Sequence, residues 1–340
     1  MASKRVLRDF GSLAEDRAVL FLQLGGPENL DEVTGFLYRL FSDPEVIRVR
    51  PALLRKAIAG AIALGRRRAS RELYRSIGGG SPIRRLTEEQ ARGVEARLAA
   101  KGRRVAVRAA MNCSTPMVED VVAELARGGV RRFLALPLYP QYSFTTTKGA
   151  LDRAREAVRR FAPGARLVET GSWPTHPSFV GAHAELIENA IAGFPDPRPE
   201  AVHLLFSAHS IPEKLVTQEG DPYRNEVEAS VRAIRDRLGN RSPATLAYQS
   251  KLGPVAWLGP PTIEEIRALG RRGQKQVLAV PIAFVTDHVE TLYEIDQLFG
   301  DEARRAGVVD FRRTPGLNEH PTFLRALVEI IEAQPDFWAP

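Results

Sequence analysis

Two stretches of this 340-residue chain place groups that can move protons or hold a divalent cation where a ligand would meet them. The apolar run Val202–Ser207 is followed by Ala208-His209-Ser210-Ile211-Pro212, which puts an imidazole, able to titrate near neutral pH and to ligate transition metals, at the end of a run. Taken alone, a single His before Ser and Pro reads first as a turn residue. The second stretch, PIAFVTDHVETLYEID from Pro281 to Asp296, carries Asp287, Glu290 and Glu294 at steps of three and four, with His288 among them. On an α-helix capped by Thr286 or Asp287, these carboxylates form one stripe. Like charges at that spacing repel, so the stripe calls for a cation, a buried proton or open water. A solvated face is the plain reading. The apolar approach through PIAFV favours partial desolvation instead, the setting of a general base or metal ligand.

The elements that must carry these groups follow from hydrophobic patterning. Uninterrupted apolar runs at Ala18–Leu24, Arg104–Ala109, Arg132–Leu138, Val202–Ser207, Ala244–Gln249 and Gln276–Ile282 read as strands of parallel sheets. Amphipathic helices are expected between them at Glu88–Ala100, Val118–Arg127, Leu151–Phe161, Phe179–Ala192, Arg224–Leu238 and Ile263–Arg271. Such alternation specifies an α/β fold with right-handed crossovers. An internal repeat divides it in two. VEDVVAELARGGVRRFLALPLYP (Val118–Pro140) aligns without gaps on TIEEIRALGRRGQKQVLAVPIAF (Thr262–Phe284), each a helix, a Gly-containing turn and a strand ending in proline. Two similar Rossmann-like domains are therefore expected, with ligands at the carboxyl ends of their strands. The first covers residues 17–165 plus a C-terminal helix at 321–334, and includes a lip helix at 51–64; the second covers 166–320. The counterpart of the acidic stretch, Tyr139-Pro140-Gln141-Tyr142-Ser143-Phe144, is aromatic, so one cleft wall is π-rich and the other carries His and carboxylates.

Composition bounds the chemistry. With 44% hydrophobic and 26% charged residues the chain is an ordinary globular protein, and its single cysteine, Cys113, excludes an internal disulfide, an all-Cys zinc site and an iron–sulfur cluster held by one chain. Cys113 itself reads as a small buried hydrophobe. The net charge of +7 suits nucleic acid, an anionic membrane or an acidic small molecule. Interleaved aromatic and basic patches are missing, which argues against nucleic acid. The segment from Met1 to Asp16 is basic but has no apolar core, and reads as a disordered lead-in to a cytoplasmic protein. Pro51–Leu64 is too short to span a bilayer, and Arg66, Arg67, Arg68 and Arg71 follow it. It suits a lip touching a membrane interface or an apolar ligand, and equally a core helix with a basic end. Gly25-Gly26-Pro27 is not a dinucleotide fingerprint and no Walker pattern occurs; Gly78-Gly79-Gly80-Ser81-Pro82 reads as a tight turn, with an anion cradle as the alternative.

Taken together, the motifs resemble those of the ferrochelatases, which insert ferrous iron into a porphyrin as the terminal step of heme synthesis. They are LGGP (Leu24–Pro27), GGGSPI (Gly78–Ile83), YPQYS (Tyr139–Ser143), WPTHP (Trp173–Pro177), FSAHSIP (Phe206–Pro212), GDPY (Gly220–Tyr223), QSKLGPVAWLGP (Gln249–Pro260) and Pro281–Asp296, in family order over nearly the whole chain. The resemblance implies two chelatase-type domains about a porphyrin cleft, His209 as the essential histidine and Glu290 as its partner. These two would take the protons and contact the metal. Asp287, His288 and Glu294 continue a polar track; Tyr142 and Trp257 line the pocket, with Leu24 and Ile83 as further substrate contacts. Arg66 and Arg67 are candidates for the propionate carboxylates, beside an apolar lip of Leu53, Leu54, Ile58 and Ile62. The implied substrates are protoporphyrin IX and Fe²⁺, with no tightly bound cofactor, no iron–sulfur cluster and peripheral membrane contact through residues 51–71 on the inner face. Two departures stand out. Gln23-Leu24 replaces the Asn-Met or tyrosine of relatives, which argues against coproporphyrin, and Asn112-Cys113 replaces Arg-Tyr. A chelatase for coproporphyrin III, cobalt or nickel, and a non-enzymatic heme- or porphyrin-binding protein, are the alternatives.

Overall fold

The computed structural model describes residues 16–251 and 255–339. The expected N-terminal lead-in before Asp16 and residues 252–254 of the Gln249–Pro260 motif lie outside the described residues. The described strands form two parallel sheets of four. The first contains β1 (Arg17–Gln23), β2 (Ala106–Met111), β3 (Arg132–Pro137) and β4 (Arg166–Glu169) in the order β2-β1-β3-β4. The second contains β5 (Val202–His209), β6 (Ala244–Gln249), β7 (Gln276–Pro281) and β8 (Asp310–Arg313) in the matching order β6-β5-β7-β8. The chain reverses its direction of sheet growth between β1 and β3, and again between β5 and β7. Those are the switch points at which open α/β sheets bind ligands.

Helices cover the faces of both sheets. In the first half these are α1 (Val33–Ser42), α2 (Ala52–Ser76), α3 (Ile83–Ala100), α4 (Val118–Arg127), α5 (Gly149–Phe161) and α6 (Pro177–Ile191). In the second they are α7 (Glu213–Thr217), α8 (Tyr223–Arg237), α9 (Thr262–Arg271), α10 (Gly300–Arg305), α11 (Pro321–Glu332) and α12 (Pro335–Trp338). The repeat is exact in this register: α4 maps on α9 and β3 on β7. Each of the two helices has acidic residues in its first turn and arginine in its last, which suits the helix dipole. Each is followed by a glycine at positive φ, Gly129 at 99° and Gly273 at 78°, a conformation that lets the chain reverse into the strand.

One continuous core joins the halves. It runs from Val19 and Phe21 of β1 through Val94 and Leu98 of α3, Phe179 and Ile187 of α6 and Phe323 and Leu327 of α11 to Leu204 and Phe206 of β5. A separate apolar cluster under the lip gathers Phe36, Leu37 and Phe41 of α1 with Ala59, Ala63 and Tyr74 of α2. Leu24 and Val289 pack partly buried against it, so residues from both halves meet the lip.

Several expectations are corrected here. The strand β4 pairs with β3, so residues 166–169 belong to the first sheet and not to the second domain. Both β4 and β8 are short, charged and half-buried, and they lack the apolar run that marks the central strands. The lip helix extends beyond 64 to Ser76, because its arginine-rich half is made of strong helix formers even though only Ser70 and Tyr74 turn inward. The expected acidic helix is a π-helix, Glu290–Phe299, with Asp287 outside it and Val289, not Thr286 or Asp287, at its N-cap position. Gly80 leaves no room for a side chain: a Cβ there would lie 2.0 Å from the Glu28 carbonyl oxygen.

His183 of α6 is buried against the Phe179 ring, and neither ring nitrogen has a partner. Burial, reinforced by the charge of His320, pushes its pKa down to about 3. Below the unfolded value near 6.5 the unfolded chain takes up a proton that the folded one refuses, so this stability is lost as pH falls towards 3. Urea unfolding of His183→Leu should accordingly lose about 2 kcal/mol less than the parent between about pH 7.5 and 5.

Candidate active site

His209 is the last residue of β5 and sits at the second sheet's switch point, paired across to Gln249 of β6. Its Nδ1 lies 2.5 Å from the Ser210 carbonyl oxygen. A carbonyl can only accept, so Nδ1 carries the proton and Nε2 faces the cleft. His288 repeats the arrangement, donating from Nδ1 to the Thr286 carbonyl at 3.0 Å. Both free Nε2 atoms point at one carboxylate: His209 Nε2 is 3.8 Å from Glu290 Oε1, and His288 Nε2 is 3.7 Å from Glu290 Oε2. These gaps exceed hydrogen-bond length, and Glu290 Oε2 is buried without a partner. A neutral Nε2 and a carboxylate oxygen each offer a lone pair, so each gap is a slot for a proton or a cation. Once those slots hold protons, the resulting His209 and His288 charges outweigh the burial that would raise the Glu290 carboxyl and pull it down to about 2. The Phe284 ring packs between the two imidazoles, 6.4 Å from His209 and 4.6 Å from His288.

The other two acidic residues are differently engaged. Glu294 accepts from Ser250 N–H at 2.9 Å, Ser250 Oγ–H at 2.5 Å and Gln249 Nε2 at 3.1 Å, so it ties the π-helix to the loop after β6. Burial, and then the Glu290 charge, raises its carboxyl against those bonds. Asp287 accepts from Thr291 Oγ1, Arg313 Nη1, Asn318 Nδ2 and Gly316 N–H. Burial pushes its carboxyl up, but Arg313 and these donors hold it below its usual range. The three carboxylates therefore form no continuous track. Glu290 is open, Glu294 anchors a loop and Asp287 is closed off by an ion pair. Among the described residues no three His, Cys, Asp or Glu side chains are grouped to hold a metal ion.

A family profile for ferrochelatase matches residues 16–334. A protein named ferrochelatase from Synechococcus sp. (strain JA-2-3B'a(2-13)) is 46% identical over 92% of this chain and 91% of its own length, and one from Synechococcus sp. (strain JA-3-3Ab) is 45% identical over 92% of each. The chain belongs to the ferrochelatase family. It is a porphyrin metal chelatase, a lyase of heme biosynthesis. The solved structure of SirB from Bacillus subtilis with Fe³⁺ shares the fold alone, with a TM-score of 0.56 and 12% identity over 76% of this chain and 94% of that one.

The remaining candidates of this ferrochelatase take different places. Leu24, half-buried after β1, packs on the lip cluster, and Ile83 begins α3 as a buried residue. Tyr142 is half-buried and meets Phe144 edge-on at 6.1 Å. Trp257 pairs through a single bridge with Pro212 in the loop after His209, and its buried indole N–H has no partner. Arg66 and Arg67 are exposed on α2; the Arg66 guanidinium lies 6.0 Å over the Phe41 ring, and no carboxylate pairs with either among the described residues. The structure therefore does not gather them with His209 and Glu290. An open cavity of about 710 Å³ lies elsewhere along the lip, between Glu45, Arg48, Arg50, Arg55, Lys148 and Glu219. Its Phe144 wall adjoins Tyr142, but His209 does not line it.

Tyr74 was not among the expected site residues. Its phenol is buried in α2, in the apolar cluster against which Val289, the residue before Glu290, packs; burial, and then the charge of Glu290, raises its pKa. The signal for it is an aromatic one turn beyond Ser70 on the inward face of an otherwise charged helix segment. The two departures from family pattern turn out to be neighbours: Asn112 N–H donates to the Gln23 carbonyl at 2.8 Å and Cys113 N–H to the Leu24 carbonyl at 2.9 Å. Burial pushes the Cys113 thiol up to about 12, so it packs under the lip as a neutral group.

The Asp287 and Arg313 side chains are 13% and 9% exposed, and Asp296 is the other acid on Arg313. Asp287→Asn should cost about 2–3 kcal/mol in urea unfolding, since Arg313 keeps only one of its two carboxylates in a mostly buried place. Iron insertion per folded molecule should fall far less than in His209→Ala.

Proposed function

We propose that the porphyrin is protoporphyrin IX and that His209 and Glu290 take its two pyrrole protons and contact the incoming Fe²⁺. The observation that carries this reading is the pair of Nε2 atoms facing Glu290 across gaps that only a proton or cation fills. Two protons leave as one divalent ion enters, so the charge of the macrocycle is unchanged. His209 accepts one proton at its free Nε2, and Glu290 accepts the other or steadies the metal as it crosses. The sparse donor set favours transfer over storage, because the four porphyrin nitrogens complete the coordination that the protein leaves open. His288 holds Glu290 from its other side, and Glu294 keeps the loop leading to Trp257 in place.

The apolar side of the cleft supports a dicarboxylate porphyrin. Leu24 is packed on the lip, where a tyrosine would favour the coproporphyrin type, and Tyr142 and Trp257 offer flat faces. Arg66 and Arg67, with no carboxylate partner among the described residues, would supply charge for two propionates from the lip. On α2, Leu53 is 80%, Leu54 48% and Leu64 59% exposed next to Arg66, Arg67 and Arg68, which suits an apolar, anionic membrane surface. We place the enzyme in the cytoplasm, touching the inner face of the membrane through this lip. No helix among the described residues is long and apolar enough to cross it.

Anaerobic mixing with protoporphyrin and ferrous iron should collapse the four-band free-base spectrum to that of heme over many turnovers. His209→Ala should lower the rate by about 10²-fold or more, the size of a lost proton acceptor, with the protein still folded by circular dichroism. Near-normal turnover in that variant would remove His209 from the reaction. Binding of porphyrin by the parent protein without metal insertion would overturn the assignment of the site.

A further inference from the structure

Residues 221–226 of the second half hold both walls of the cleft. Asp221 is 3% exposed. Its Oδ2 accepts from Ser143 Oγ–H at 2.9 Å and from Phe144 N–H at 2.8 Å, and its Oδ1 accepts from Tyr223 N–H at 3.0 Å. Two residues further on, the buried Tyr223 phenol donates to the His209 carbonyl at 2.9 Å. Glu226 adds a bond from Tyr142 N–H at 2.7 Å. The loop that carries Tyr142 is thus fastened to the other half of the molecule through its backbone at 142 and 144, and the same short segment fastens His209.

Asp221 is held by hydrogen-bond donors and not by a cation. No Lys, Arg or His pairs with it among the described residues, and a buried carboxylate without a cation is costly to desolvate unless donors surround it. Its donors from outside its own turn come from the Tyr142 loop. We propose that Asp221 and Tyr223 are positioning residues for metal insertion: they set the spacing between Tyr142 and His209, so that a porphyrin lying on Tyr142 presents its nitrogens to His209 Nε2. This rests on the reading above, in which those two residues face one porphyrin.

The assignment makes the two residues act on different steps and on each other. Tyr223→Phe keeps the ring and frees the His209 carbonyl, so it should lower kcat about three- to tenfold, the worth of one hydrogen bond, with protoporphyrin Kd by fluorescence quenching unchanged within about twofold. Asp221→Asn should raise that Kd by about three- to tenfold. The double variant should depart by about fivefold or more from the product of the single effects on kcat/KM. Should Asp221→Asn fail to fold, Ser143→Ala removes the same contact from the other side and should give the same Kd increase and the same non-additivity with Tyr223→Phe. Effects that multiply independently, or kcat and Kd moving together in both single variants, would overturn the proposal. A parent protein that binds porphyrin but inserts no iron would instead overturn the functional reading, and this assignment with it.

Discussion

Glu290 keeps a negative charge at the meeting of the two halves, flanked by two imidazoles and with one oxygen bonded to nothing. A carboxylate in that state is expensive, because burial removes water and no N–H among the described residues is bonded to it in exchange. The two rings cannot relieve it as neutral groups, since the Ser210 and Thr286 carbonyls fix their protons on Nδ1. Only an arriving proton or metal ion does so. The site is thus one cation short of satisfaction.

The fold explains how such a group is held still. His209 ends a strand that is otherwise wholly buried, and the π-helix carrying Glu290 starts from the neighbouring strand after only a short loop. Both therefore project from the switch point of one sheet, and a single core ties that sheet to its twin. The wider turn of a π-helix also changes how the acidic residues divide. Glu290 faces the imidazoles while Glu294 reaches Gln249 and Ser250, whose positive φ of 64° is an unusual conformation for serine, held here by Glu294 at both its N–H and hydroxyl.

Much of this was legible in the sequence, for identifiable reasons. Central strands announce themselves because burial on both faces demands unbroken apolar runs, and the repeat is visible because α4 with β3 and α9 with β7 solve the same packing problem in the same register. The edge strands β4 and β8 were not legible, since edge positions relax that demand and admit charge. The pairing of His209 with Glu290 came from the family resemblance and not from local spacing, and the structure puts His209 Nε2 and His288 Nε2 3.8 and 3.7 Å from the Glu290 oxygens. Asp287 was joined to them by an α-helical spacing that the chain does not adopt, and its binding to Arg313 and Asn318, 26 and 31 residues away, leaves no local mark. Tyr74 was missed for the opposite reason: its helix segment is so rich in arginine that one inward aromatic raises no periodic signal.

The duplication makes the asymmetry of the cleft informative. Equivalent strand ends in the two halves lead into an aromatic loop in one and an acidic π-helix in the other, so the same scaffold presents a surface for a flat apolar ring and, opposite it, groups for a metal and protons. Each loop is also held by the opposite half. Tyr142 and Phe144 hang on Glu226 and Asp221, and Val289 packs under the lip of the first half. A relative movement of the halves therefore shifts ring surface and metal groups at once, and the single core that resists such movement, more than any one contact at the site, keeps the two in register.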